Sequence, residues 1–231
     1  MLRAIILGFD GVILNSEPLH FGAMRDTVAG LGVRLSREEY WDRYLPMDDA
    51  QCLDAICRDR SIRLSDEKRN SLLELKAGLY RRLLKEDFSL FPGAAQFIQN
   101  AARNYPLGLA SGARRDEIES TLQSAGLKDH FVVVVAAEDF KLGKPQPESF
   151  LFALERLNTE IKGQAPPILP AECLVVEDSV ASVRGARRAG MLCMAVTNSY
   201  PREMLQAANA IVASLEEVRL DNLEALFEES P

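Results

Sequence analysis

Histidine is nearly missing from this 231-residue chain, which has only His20 and His130. Protein zinc sites draw on imidazole and thiolate ligands, so a zinc centre of the usual kind is not expected. Cysteine is also sparse. Cys52, Cys57, Cys173 and Cys193 form no CxxC pair and sit in helical or apolar stretches. They read as reduced, mostly buried thiols of a cytosolic protein. No basic tract stands out, and 27 Lys and Arg against 34 Asp and Glu leave a formal charge of −7. A protein that wraps nucleic acid is therefore not expected. A small anionic ligand is still allowed, because a local cluster can be positive on an acidic protein. No apolar run reaches the ~18 residues that span a membrane, so no membrane association is expected. Met1-Leu2-Arg3 leads straight into a short apolar run with no signal-peptide pattern, and the cytoplasm is the expected location.

What is present is a pattern of short apolar runs. The composition is 47% hydrophobic, enough for a sizeable core, and 26% charged with the signs mixed. The length suits one core domain with a smaller inserted unit. The runs "AIIL" (4–7), "LGLAS" (107–111), "VVVVA" (132–136), "CLVVE" (173–177) and "MLCMAV" (191–196) read as parallel strands buried on both faces. Helical patterns lie between most of them, over 93–104, 114–126, 147–158 and 179–190. Gly126 and the glycine at 190 are the expected C-terminal stops. This alternation predicts an α/β fold, a Rossmann-like, doubly wound parallel sheet.

Residues 15–89 break the alternation. No convincing strand occurs there, and "EPLHFGAMRDTVAGLG", "SREEYWDRYL", "DDAQCLDAICRDR" and "SDEKRNSLLELKAGLYRRLLKE" all read as helices. "SREE" reads as a capping box, with Ser36 as N-cap and Glu39 three residues on. The expected division is an α/β core of residues 1–14 plus 90–231 and an inserted all-helical cap of residues 15–89. The two crossings, near 14–18 and 86–92, are the expected hinges of a lid.

Ligands of open α/β sheets bind beyond the carboxyl ends of the strands. Asp10 and Gly11 stand there after the first run, Ser111 and Gly112 after the second, and Glu177 and Asp178 after the fourth. Lys144 lies in the Gly/Pro-rich loop "KLGKPQP" that follows the third. Carboxylates on two strand ends suit a hard divalent cation such as Mg²⁺. A hydroxyl, turn amides and a lysine suit phosphate oxygens. Each feature alone has a plainer explanation: a turn at Asp10-Gly11, a helix cap at Ser111, a helix start at Glu177-Asp178, a solvated charge at Lys144. Their succession on separate strand ends predicts metal-assisted phosphoryl chemistry.

The stretches "FDGVILNSEPLH" (9–20), "LASGA" (109–113), "GKPQPESF" (143–150) and "VVEDSVASVRGARRAGM" (175–191) resemble the haloacid dehalogenase-like superfamily. The similarity is to the branch of phosphoglycolate phosphatases and β-phosphoglucomutases with a helical cap, and it covers essentially the whole chain. In that family the first motif is Asp-x-Asp-Gly, a nucleophile followed by a general acid/base. Gly11 sets the frame here, so the resemblance makes Asp10 the acid/base and puts Gly8 at the nucleophile position. It also implies that Ser111 and Gly112 bind phosphate and that Lys144 neutralises charge. The metal residues it implies are Asp178, Glu177 and Asp10, the last through its carbonyl. His20 and Lys76 match cap residues that meet the substrate. A cap loop that carries a sugar-phosphate arginine in the mutases reads "YLPMDDAQ" here, with Asp48 and Asp49 instead.

The expected function is thus a Mg²⁺-dependent phosphatase scaffold for a small phosphorylated metabolite, such as a sugar phosphate. A glycine has no atom to attack phosphorus, so the covalent route through an aspartyl-phosphate is closed at Gly8. The chain is either a non-catalytic phosphometabolite-binding protein or a variant of an enzyme with Asp at position 8. A phosphomutase is the third reading, disfavoured by Asp48 and Asp49.

Overall fold

A computed structural model of the chain describes residues 1–45, 47–141, 146–161 and 166–228. The chain divides into two compact units, one made of Met1–Asn15 with Ser89–Pro231 and the other of Ser16–Phe88.

The first unit is built on β1 (Ala4–Leu7), β2 (Leu107–Ala110), β3 (Phe131–Val135), β4 (Cys173–Glu177), β5 (Leu192–Val196) and β6 (Ala210–Val212). They pair in parallel in the order β3-β2-β1-β4-β5-β6, so the sheet is wound outward in both directions from β1. Every residue of β1, β2, β4 and β5 is buried. That burial explains why these strands read as continuous apolar runs rather than alternating ones. The expected α/β class is correct. β6 was not expected, because three residues at the sheet edge carry too little pattern to be read.

Helices α5 (Ala94–Ala101), α6 (Arg115–Ser124), α7 (Glu148–Glu160) and α8 (Val180–Arg188) cover the sheet, and α9 (Leu220–Glu228) closes the described chain. Phe150, Ala153, Leu154 and Leu157 of α7 pack with Ile6, Val133, Val135 and Val175 of the strands. They recur at three- and four-residue steps, so one face of α7 meets the sheet. The outer strand β3 has its edge partly covered. The Arg115 guanidinium donates to Val134 O at 3.3 Å and is itself held by Asp139, which also takes Arg156 at 3.1 Å. Occupying an outward carbonyl in this way lowers the chance that "FVVVV" recruits another strand.

Among its described residues the second unit holds four helices: α1 (Glu17–Ala29), α2 (Arg37–Arg43), α3 (Asp49–Asp59) and α4 (Asp66–Glu86). It has its own apolar cluster, including Met24, Val28, Tyr40, Leu53, Ile56 and Leu72. Ser36 caps α2 by accepting from the Glu39 amide at 3.1 Å, but the expected reciprocal bond gives way to another partner. The Glu39 carboxylate takes Arg60 instead, at 2.7 and 2.8 Å. The reciprocal capping box belongs to α3, where Asp48 accepts from the Gln51 amide at 2.8 Å and Gln51 reaches back to Asp48 N.

All four cysteines are free and buried. Burial pushes the thiols of Cys52 and Cys173 up to about 12, so they are inert as nucleophiles at neutral pH. Among the described residues no helix is long and apolar enough to cross a membrane. Phe150 is fully buried in the sheet-helix core. Phe150→Ala is expected to lower stability by about 3–5 kcal/mol, read from the midpoint of urea unfolding at unchanged slope.

Candidate active site

β1 and β4 are neighbours in register, with Leu7 opposite Val176. The Gly8 amide continues that ladder by donating to Val176 O at 2.9 Å. Residue 8 therefore lies beside Glu177, the last residue of β4. A Cβ placed on Gly8 would stand 2.8 Å from Glu177 Oε1 and 2.9 Å from its Cδ. Glu177 is 1% exposed, and its Oε2 accepts from the Asp178 amide at 3.2 Å.

Asp178 is buried too, and the Ser199 hydroxyl donates to its Oδ2. The carboxylate lies on the backbone of the turn after β1. Gly11 has φ +75°, and a Cβ there would be 1.9 Å from Asp178 Oδ2. Only glycine meets both demands, the left-handed backbone and the close approach. Asn198 Nδ2 donates to Gly11 O at 2.8 Å and holds the turn from the other side. Asn198 and Ser199 were missed in the sequence, since polar residues after a strand are too common to be a signal.

Asp10 is half-buried, and its Oδ1 is buried with no hydrogen-bond partner among the described residues. An orphaned carboxylate oxygen of this kind calls for a water, a cation or a proton. Ser111 follows β2, is buried, and accepts from the Ala113 amide at 3.0 Å. Accepting that bond leaves its hydroxyl proton available to an acceptor. Beside it, Gly112 is exposed, with open space where a Cβ would stand. Glu117 of α6, also missed, lies within electrostatic reach of Asp10. Burial pushes its carboxyl up, the Arg114 amide opposes that, and the charges of Asp116 and Asp10 add to the rise. Lys144 lies outside the described residues.

The oxygen donors Asp10, Glu177 and Asp178 fit a hard divalent cation by chemistry, and the orphaned Asp10 Oδ1 fits it by need. Among the described residues, however, no group of three or more His, Cys, Asp or Glu side chains gathers in a metal-holding arrangement.

Residues 2–190 match the family model of the haloacid dehalogenase-like hydrolases. The chain belongs to this family. It is 30% identical to a phosphorylated carbohydrates phosphatase of Thermotoga maritima over 82% of each chain. It is also 30% identical, over 71% of its length, to a chloroplastic 5-amino-6-(5-phospho-D-ribitylamino)uracil phosphatase of Arabidopsis thaliana, and it spans 40% of that protein. Its fold matches the crystal structure of a β-phosphoglucomutase from Clostridium difficile with a TM-score of 0.77. That match has 24% identity and covers 99% of this chain and 98% of the other.

The two residues expected to meet substrate from the helical unit of this family member are brought together. Lys76 Nζ lies 2.6 Å from His20 Nδ1 and 2.6 Å from Asp49 Oδ1. Lys76 is 1% exposed, and its ammonium also lies 5.0 Å from the centre of the Tyr80 ring, which stacks on His20. Burial pulls the Asp49 carboxyl upward, but the His20 ring and the Lys76 ammonium outweigh it and hold the carboxyl at about 2. Asp48 and Asp49 thus have structural work, a helix cap and a counter-charge.

The folded Asp49 value lies below the ordinary 3.8, so the Asp49–Lys76 pair stabilises the helical unit above that pH. The contribution is lost as pH falls toward 2. Asp49→Asn leaves a buried ammonium without its counter-ion. For a fully buried pair that costs ~3–5 kcal/mol, and half-exposure of Asp49 reduces it to about 1–2 kcal/mol. In urea unfolding at a series of pH values, the gap between native and Asp49→Asn proteins should be full at pH 7 and should close as pH falls from about 4 to about 2.

Proposed function

We propose that the chain carries the active site of a Mg²⁺-dependent phosphoric monoester hydrolase for a small phosphorylated metabolite, a sugar phosphate or similar, and that Gly8 disables its covalent route. One observation carries this reading. Buried carboxylates of Glu177 and Asp178, the orphaned Asp10 Oδ1 and the buried Ser111 hydroxyl stand at the ends of β1, β2 and β4, where residue 8 has no side chain. The names of the curated relatives, phosphatases of a phosphorylated carbohydrate and of a ribityl phosphate, support the substrate class.

With Asp at position 8, an oxygen of its carboxylate attacks phosphorus and the ester P–O bond breaks. Asp10 gives its proton to the leaving oxygen. Asp10 then takes a proton from water, and the resulting hydroxide attacks the phosphorus of the aspartyl-phosphate. That releases phosphate and restores the carboxylate at position 8 and the protonated Asp10. Ser111 donates to a phosphoryl oxygen, and Lys144 neutralises its charge, as the resemblance implies. Asp178 and Glu177, with Asp10, would hold Mg²⁺, which when bound offsets charge on the phosphoryl group. Glycine at position 8 removes the first step and leaves the electrostatic groups in place.

A non-catalytic phosphate-binding protein is the second reading, and Gly8 is the observation that favours it. Phosphate release from a panel of phosphorylated metabolites, measured for the native chain and for Gly8→Asp, separates the two. The native chain is expected to turn over slower than Gly8→Asp by several orders of magnitude, since enzymes of this kind gain at least ~10⁶-fold over the uncatalysed rate. Equal rates would place the nucleophile elsewhere. No release by Gly8→Asp would favour the binding protein, and an isomerised sugar phosphate as product would indicate a mutase.

A further inference from the structure

A cavity lies at the other edge of the sheet, where the strands begin rather than end. It has a volume of about 280 Å³ and is lined by Gln99, Ala102, Arg103 and His130. Gln99 belongs to α5, and Ala102 and Arg103 to the turn that leads from α5 into β2. His130 ends the single helical turn Lys128–His130 and directly precedes Phe131, the first residue of β3. The two stretches meet because β2 and β3 pair from their first residues, Leu107 against Phe131. Ser111 follows the last residue of β2, so the whole strand separates this cavity from the candidate active site.

The lining is rich in donors and has no acid. Arg103 carries a permanent positive charge on a planar fork of N–H groups. His130 and Gln99 each add an N–H. Among the described residues, the side chains of Arg103 and His130 make no hydrogen bond and no ion pair, and no carboxylate lines the cavity. Elsewhere Arg3, Arg43, Arg60, Arg69 and Arg115 all meet carboxylates. The carbonyls at the end of α5 do not compete for these donors. Ile98 O, Asn100 O and Ala101 O accept instead from the amides of Ala102, Arg103, Asn104 and Tyr105. We propose that this cavity binds a phosphate group, carried by inorganic phosphate or by a small phosphorylated molecule. A phosphate has enough acceptor oxygens to meet an arginine fork and two further donors at once. The volume lies just below the ~300–1,000 Å³ of sites for drug-sized ligands, so the occupant is a small one. The proposal is independent of Gly8 and of the phosphatase reading.

The test is a titration of the nitrogen-15-labelled native chain, followed by NMR of its backbone amides at constant ionic strength. Inorganic phosphate is the first probe and glycerol 3-phosphate the second. The amides of Ala102, Arg103, His130 and Phe131 are expected to shift along one saturating curve. Arg103→Ala should weaken that binding by about tenfold or more, as loss of a charged hydrogen-bond partner does. His130→Ala should weaken it too. Arg103 is exposed, so its variants should keep the fold. Arg103→Lys keeps the charge without the fork and should fall between native and Arg103→Ala. Ser111→Ala, at the candidate active site, should leave the curve in place. Tighter binding of glycerol 3-phosphate would make the occupant a phosphate ester, and tighter binding of phosphate the free ion. Shifts that do not saturate, that chloride reproduces, that survive Arg103→Ala, or that vanish with Ser111→Ala overturn the proposal, as does the absence of shifts at these four amides. The phosphatase reading fails separately, as absence of phosphate release by Gly8→Asp.

Discussion

The pairing of β1 with β4 is the constraint on which the candidate site depends. Two strands distant in sequence lie side by side with Leu7 against Val176, and the ladder runs on through the Gly8 amide. That register brings Glu177 to Gly8 and the Asp178 carboxylate onto the backbone of Gly11. A one-residue slip would turn every side chain of β4 to the opposite face and take Glu177 away from Gly8. The strands can carry this load because they are buried on both faces, so apolar packing on α7 and its neighbours fixes the register that the polar groups then use. Asn198 and Ser199, from the loop after β5, tie the same turn and the same carboxylate from the far side.

The helical unit solves a separate problem, the burial of a cation. Lys76 lies inside the unit, and a lone ammonium there would shed its proton or destabilise the fold. Asp49 supplies the counter-charge, His20 a ring nitrogen at hydrogen-bond distance and Tyr80 a ring face. The loop that looked unsuited to a sugar phosphate because it carries Asp48 and Asp49 is accounted for by local physics. One aspartate begins α3 and the other neutralises Lys76.

Much of this was legible in the sequence. β1, β2, β4 and β5 showed themselves as apolar runs because parallel strands buried on two faces have no polar side to break the run. The helices of the 16–88 unit were legible from the Ser36 cap and from the absence of β-rich stretches. β6 was not legible, since an edge strand of three partly exposed residues has no periodicity. Ser36 was read as half of a reciprocal box because Glu39 stands three residues on, but a carboxylate that can reach a guanidinium prefers the charged partner. Of the site, Asp10, Ser111, Glu177 and Asp178 were legible because each ends a strand. The filled space over Gly8 was not, because it arises from a contact between residues 169 positions apart, which only the register reveals.

The central claim is that position 8 is where a covalent nucleophile would act and that this chain has none. The most direct measurement is chemical trapping. A phosphorylated substrate labelled at phosphorus is mixed with the native chain and with Gly8→Asp, the reaction is quenched in acid, and hydroxylamine-sensitive label is mapped by peptide mass. The account predicts an acyl phosphate on residue 8 of Gly8→Asp and none on the native chain. Label on Asp10, or on the native chain to the same extent, would contradict it.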